Sequence, residues 1–232
     1  MFVTGFAEPF LYLFSIGIGV GALVGDLTVG DRIVDYRTFV APALFTAAAM
    51  NGAVFDTTIG FFIKLKYAKT YDAMLATPIS TTDVVAGEIA WAVVRSSTYA
   101  VAFLATMAAL GLLASPLSVL ALGAAVLVAF AFAGAGLAGA TWMRSFVDFD
   151  YVALTIVPMF LFSATFFPLD RYPTVVGWIV QVTPLYQGVA LARAATLGVW
   201  TWWVPFHVVY LLAMGAGGAA VAARRITRQL QP

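Results

Sequence analysis

The chain has 232 residues, 62% of them hydrophobic and only 10% charged, with a mean hydropathy of +0.97. Soluble proteins carry about 25% charged residues, so a water-soluble fold is excluded and an integral membrane protein is indicated. The formal charge of +1 leaves no basic face for nucleic acid. With no cysteine and a single histidine, His207, there are no disulfides, thiol nucleophiles, thiolate metal sites or histidine-rich metal or proton-relay clusters.

The first apolar run, residues 9–25, is about long enough to cross a hydrocarbon core roughly 30 Å thick. No basic segment precedes it and no small-residue cleavage site follows, so a secretory signal peptide is not indicated. Gly17, Gly21 and Gly25 recur at the spacing that lets membrane helices approach closely, either within one subunit or between two. Residues 26–37 then carry Asp26, Asp31, Arg32, Asp35 and Arg37 without a lysine, as an outside loop tends to. The second span, residues 39–62, has Asn51 and Asp56 in its inner half. A carboxylate at that depth is costly and is a candidate for function, or for a structural hydrogen bond near the membrane face.

Residues 63–84 form the longest polar interval and contain all three lysines, Lys64, Lys66 and Lys69. Basic residues flanking spans are retained in the cytoplasm, so this loop is placed there. Leu65, Lys66, Tyr67, Lys69, Tyr71, Asp72, Met74 and Leu75 mix aromatic and charged side chains ahead of a helix stop at Pro78, in the manner of an interface centre; a helix lying on the membrane surface is the competing reading. The third span, residues 85–113, contains Glu88 and Arg95. Seven positions apart, they share a helix face but stand about 10 Å apart along the axis, so each needs a further partner.

A short hairpin at Ser115, Pro116 and Ser118 makes the fourth span, residues 119–142, antiparallel to the third. Its string Gly134, Gly136, Ala138, Gly139 and Ala140 predicts a tightly packed surface. Asp148 and Asp150 follow in a loop with Arg144, as solvated or helix-capping residues rather than a catalytic pair. The fifth span, residues 151–167, contains Pro158 and ends on Phe160, Phe162, Phe166, Phe167 and Pro168. Residues 168–199 hold two apolar pieces too short to cross separately, read as re-entrant helices whose irregular backbone must be covered by protein. The sixth span, residues 202–222, opens on the interfacial aromatics Trp200, Trp202 and Trp203 and closes on Arg224, Arg225 and Arg228. On this assignment Lys64, Lys66, Lys69, Arg144, Arg224, Arg225 and Arg228 stand inside, against Arg32, Arg37, Arg171 and Arg193 outside. The expectation is therefore a single all-α membrane domain over residues 1–232, with six spans, a re-entrant pair before the last and both termini cytoplasmic.

The run Lys69-Thr70-Tyr71-Asp72-Ala73-Met74-Leu75-Ala76-Thr77-Pro78-Ile79-Ser80, then Gly87-Glu88, then Pro158-Met159-Phe160-Leu161-Phe162-Ser163 with Phe166-Phe167-Pro168-Leu169, resembles the permeases of ABC-2 type exporters over roughly residues 35–200. The NodJ-like lipo-chitooligosaccharide permeases are the nearest branch and the daunorubicin-resistance permeases are cousins. The amphipathic cytoplasmic helix expected before the first span is not among these residues. The resemblance implies a bacterial inner-membrane half-transporter that pairs with a second copy or a sister permease. It also implies two ATP-binding-cassette subunits that carry the ATP and Mg, with no cofactor on this chain. The sequence contains no Gly-x-x-x-x-Gly-Lys-[Ser/Thr] run to cradle phosphates and no nucleophile-and-base set, so no enzymatic role is expected. The rival classes are a proton- or ion-coupled carrier or channel, and a lipid-acting enzyme. A carrier usually needs ionisable groups at the membrane midplane, whereas Asp56, Glu88 and Arg95 lie toward one end of their spans.

The apolar, aromatic walls suit an amphiphile such as a lipid-linked saccharide or a drug. Residues 65–78 are expected to couple to the ATPase. Phe160, Phe162, Phe166, Phe167 and Pro168 are expected to form a dry exit constriction of the kind that gates without charge; simple packing is the alternative for each ring.

Overall fold

A computed structural model describes residues 11, 13–15, 19, 21–29 and 32–230. Gly17 and six other residues of the first apolar run (9, 10, 12, 16, 18 and 20) lie outside the described residues. After a helical stretch at Gly21–Val24 come strands β1 (Asp26–Val29) and β2 (Arg32–Asp35), an antiparallel pair in which Asp26 faces Asp35 and Val29 faces Arg32. This hairpin corrects the all-α expectation. Its signal was in the sequence, since Gly30 and Asp31 separate two short stretches rich in β-branched residues.

Helix α1 runs Tyr36–Lys66, interrupted by a π-helical segment at Asp56–Gly60. A short α2 (Thr70–Leu75) leads to α3 (Thr81–Ala109), then α4 (Ala121–Ala140), α5 (Phe149–Leu161), α6 (Thr174–Val182), α7 (Pro184–Leu197) and α8 (Val204–Leu230). Among the described residues four helices are long and apolar enough to cross a membrane: α1, α3, α8, and α4 with the 3₁₀ turn before it. The pair α6 and α7, bent by 86°, adds a fifth if it counts as one span.

The fifth apolar run is not helical to Phe167 as expected. Helix α5 stops at Leu161 after 13 residues, about 20 Å of rise, and the chain then turns through Ser163, Ala164 and Thr165, all buried. Ala164 adopts φ +53°, a conformation an L residue holds only under constraint. Arg193 supplies that constraint by donating to the Ala164 carbonyl at 2.7 Å and the Phe39 carbonyl at 3.3 Å, with its guanidinium 3.8 Å over the Phe39 ring. Arg193 is therefore no loop cation, contrary to the outside count.

The bend between α6 and α7 is covered as a re-entrant pair requires. Tyr210 donates to the Val182 carbonyl, Gln187 donates to the Gln181 carbonyl, and Ser163 and Thr183 share a hydrogen bond. His207 Nδ1 sits 2.5 Å from Gln187 Oε1, so the lone histidine is spent on orienting the glutamine at the bend.

Helix α4 is the centre of the bundle, packed on α1, α3, α7 and α8. Its glycines explain the position. A Cβ on Gly134 would lie 2.3 Å from the Gly215 carbonyl oxygen, so α4 and α8 touch backbone to backbone. A Cβ on Gly136 would lie 2.5 Å from Thr57 Oγ1 in the π segment. Gly139 departs from the expected packed string, because a Cβ there would meet nothing within 4 Å.

The two ends of the bundle are distinct. At one end Thr81 and Thr227 share a hydrogen bond, and Arg225 and Gln229 reach Thr141. The starts of α3 and the ends of α4 and α8 therefore gather with the lysine segment. At the other end Arg32 of the hairpin donates to the Leu197 carbonyl, and the Ala114 amide donates to the Thr196 carbonyl.

Candidate functional site

The lysine segment is a folded clasp. Helix α1 ends near Lys66, Lys69 takes a left-handed φ of +47°, and α2 occupies Thr70–Leu75. The helix stop before Pro78 occurs as expected. Ser80 then starts α3 with a reciprocal cap: its amide donates to Asp83 Oδ2 at 2.9 Å and its hydroxyl accepts from the Asp83 amide. That cap moves the start of the third span four residues ahead of the expected Val85.

Within the clasp the aromatic residues divide. Tyr71 is 1% exposed and stacks on Phe61 at 5.1 Å between ring centroids. It is a hinge pin between α2 and α1, not the surface anchor that the sequence suggested. Burial, and then the Glu88 carboxylate nearby, push its hydroxyl pKa up. Tyr67 is exposed and stacks on Phe146, itself edge-on to Phe62. Met74, Lys66, Lys69 and Asp72 remain exposed, and Leu75 is half-buried. The outward surface thus combines Met74 and Tyr67 with the charges of Lys66, Lys69 and Asp72.

Beneath the clasp, Glu88 and Arg95 each acquire the partner they lacked. Lys64 Nζ sits 2.8 Å from both Glu88 oxygens, and Arg95 Nη1 sits 2.5 Å from Asp56 Oδ1. Both partners come from α1, so the pairs are two antiparallel rungs between α1 and α3. Asp56 opens the π segment, and such bulges recur at functional sites. Its second oxygen, Oδ2, is buried with no hydrogen-bond partner among the described residues. The Thr57 and Thr58 hydroxyls donate to the Ala53 and Val54 carbonyls.

The expected exit cluster is only partly assembled. Phe160 and Phe166 meet edge to face at 5.3 Å. Phe162 and Phe167 are about half exposed, and Pro168 precedes a 3₁₀ turn at Leu169–Arg171.

Sequence reasoning missed a cleft. Helix α5 has no buried residue and stands off the bundle, leaving about 680 Å³ between it, α1 and α4, from Arg144 and Asp148 up to Met159 and Pro184. Half-buried Val152, Ile156 and Met159 face it from α5, and Gly139 and Phe132 face it from α4. The spacing of Val152, Ile156 and Met159 on one helix face was the available signal. Asp148 accepts from the Arg144 and Ser145 amides, which holds its carboxyl below the usual aspartate range. That is the capping role the sequence suggested.

A family model described as ABC-2 type transporter matches residues 1–197. The chain is similar to Nodulation protein J of Rhizobium leguminosarum bv. viciae, 30% identical over 227 residues that cover 96% of this chain and 86% of the relative. It is 33% identical to Nodulation protein J of Rhizobium leguminosarum bv. trifolii over 83% of this chain and 72% of that protein. The protein of that name from Rhizobium meliloti is 27% identical over 97% and 85%.

Proposed function

The chain belongs to the ABC-2 type transporter family, and on that premise we propose that it is the permease subunit of an ATP-binding-cassette exporter. The observation that carries this reading is the clasp at residues 63–80. It is a folded, capped segment between two long apolar helices, with Met74 and charges outward and Tyr71 packed inward. A separate ATPase pair, with its ATP and Mg, docks there on the cytoplasmic side. Movement of α2 passes through the Tyr71–Phe61 stack to α1, and through the two ion-pair rungs to α3.

The cargo is an amphiphile, either lipid-linked saccharide or drug. The described helices offer apolar walls, and the relatives' names point to nodulation rather than to resistance. Two copies, or one copy and a sister permease, enclose the pathway in a bacterial inner membrane, because the described spans alone surround too little cross-section. Phe160 and Phe166 close its far end.

The test is reconstitution of the chain with its co-purifying ATPase and measurement of ATPase stimulation by lipids, glycolipids and amphiphilic antibiotics. Stimulation by an acylated saccharide supports the reading. A chain that retains no ATPase and conducts ions would replace it with a channel.

A further inference from the structure

We propose that the cleft behind α5 is a binding site for one acyl chain of a membrane amphiphile that enters from the lysine-bearing end of the bundle. The inference deepens the exporter reading, since it assigns a place to the apolar part of its cargo. A volume of about 680 Å³ lies within the roughly 300–1,000 Å³ of small-molecule sites. From Asp148 to Met159 the cleft follows α5 for about 17 Å.

Its chemistry selects the occupant. The hydroxyls of Thr58 and Thr155 both line it, yet each donates to its own helix, at the Val54 and Tyr151 carbonyls. Neither has a hydrogen left for a guest, so among the lining side chains between the mouth and Met159 only these two hydroxyl oxygens are polar, and they can accept but not donate. A guest carrying charge or several polar groups there would lose more hydration than two hydroxyl acceptors can restore, whereas a hydrocarbon chain loses nothing. Charged groups occur only at the mouth. Trp142 and Tyr151 are exposed there, at the height where such side chains mark the membrane interface. Arg144 is exposed and makes no ion pair among the described residues. Asp148, the carboxylate in the lining, already accepts two backbone amides. A head group therefore rests at Arg144 while its chain lies along Val152, Ile156 and Met159.

Helix α5 is built to flank a guest. It is anchored at its start by the preceding 3₁₀ turn Phe146–Asp148, which the Ser145–Asp148 box closes, and beyond its end by Arg193 and the Ser163–Thr183 bond, while no residue between is buried. Gly139 keeps the opposite wall flat: a Cβ there points into open space. Gly139→Leu therefore fills the cleft without striking the fold, and Gly123→Leu, equally open on the same helix, is its control.

The experiment places the full chain in phosphatidylcholine nanodiscs doped with a phosphatidylglycerol carrying a diazirine at the acyl end, with and without the ATPase, and maps adducts after illumination. Adducts are expected on Ile156 and Met159, toward the far end of the cleft, in both preparations. Gly139→Leu should reduce them about tenfold, because displacing even two buried methylenes is worth that factor; Gly123→Leu should leave them unchanged. Thr155→Trp, which fills the cleft from the α5 side, should repeat the loss.

Labelling does not depend on ATP hydrolysis, so failure of the exporter reading shows as an absent ATPase and failure of this site as absent adducts. If Gly139→Leu also abolishes stimulation of the ATPase by acylated saccharides, the chain belongs to cargo. If stimulation survives, it belongs to a resident lipid, and either result supports the site. Equal labelling of Leu154 and Val157 on the outer face, adducts indifferent to Gly139→Leu, or a disulfide-linked homodimer of Ile156→Cys would overturn it. The last would mean that a second copy fills the cleft.

Discussion

Tyr71 stacks on Phe61 with 5.1 Å between centroids and an interplanar angle of 30°, and this contact fastens α2 to the end of α1. Tyr71→Ala should destabilise the clasp by about 3 kcal/mol, as loss of a buried aromatic ring does, and should lower transport-coupled ATPase activity. Tyr71→Phe keeps the stack and should keep coupling. Limited proteolysis between Lys64 and Ser80 is the readout, with faster cleavage in the alanine variant alone.

The rungs Lys64–Glu88 and Asp56–Arg95 should differ in weight. The first involves a lysine more than a third exposed, whereas the arginine and aspartate of the second are 29% and 11% exposed. Removing one partner of a buried pair strands the other charge and costs about 3 kcal/mol. Asp56→Ala and Arg95→Ala should each lower thermal stability in detergent, and the double variant should lose clearly less than their sum. Additive losses would show that the two side chains do not interact.

At the α4–α8 contact, Gly134→Leu cannot be accommodated, since its first side-chain carbon would already lie 2.3 Å from the Gly215 carbonyl oxygen. The variant should fail to accumulate in the membrane, and Gly123→Leu should accumulate normally. Expression followed by size-exclusion chromatography checks both.

The start of α5 should respond to acid. The Arg144 and Ser145 amides hold the Asp148 carboxyl below the usual aspartate range, so the carboxylate is favoured in the folded protein. Its stabilisation is complete above the ordinary value of about 3.9 and is lost as pH falls through the lowered folded value. A spin label at Val147→Cys, on an exposed position in a chain without cysteine, should stay ordered at neutral pH and loosen only in acid. Adding Asp148→Ala should loosen it at neutral pH.

The long spans were legible because twenty or more apolar residues admit few structures in lipid. Helix α1 was anticipated within a few residues of its ends, and so were α3 and α4. The partners of Glu88 and Arg95 were not legible, because residues 24 and 39 positions away in sequence supply them and periodicity reports only one helix at a time. Tyr71 was misread for a related reason: composition marks an aromatic residue in a polar segment as surface, and only the fold reveals that Phe61 covers it. The end of α5 escaped notice because residues 162–167 are as apolar as the helix before them. What breaks the helix there is Arg193, 29 residues after Ala164, holding the Ala164 carbonyl.

For the exit, the observed pairing narrows the expectation to Phe160 and Phe166. Replacing both by alanine should raise basal ATPase activity or ion leak in liposomes without loss of assembly. Unchanged tightness would leave these rings as packing.

The most direct test of the exporter reading is a cross-link from the clasp. Met74→Cys is on the outward face of α2, and Ile33→Cys is on the hairpin at the opposite end of the bundle; both positions are exposed. With a thiol-to-amine cross-linker in intact membranes, Met74→Cys should yield an adduct with an ATP-binding-cassette subunit, and Ile33→Cys should yield none. An ATPase adduct from Ile33→Cys, or none from Met74→Cys in membranes where that subunit co-purifies with the chain, would contradict the account.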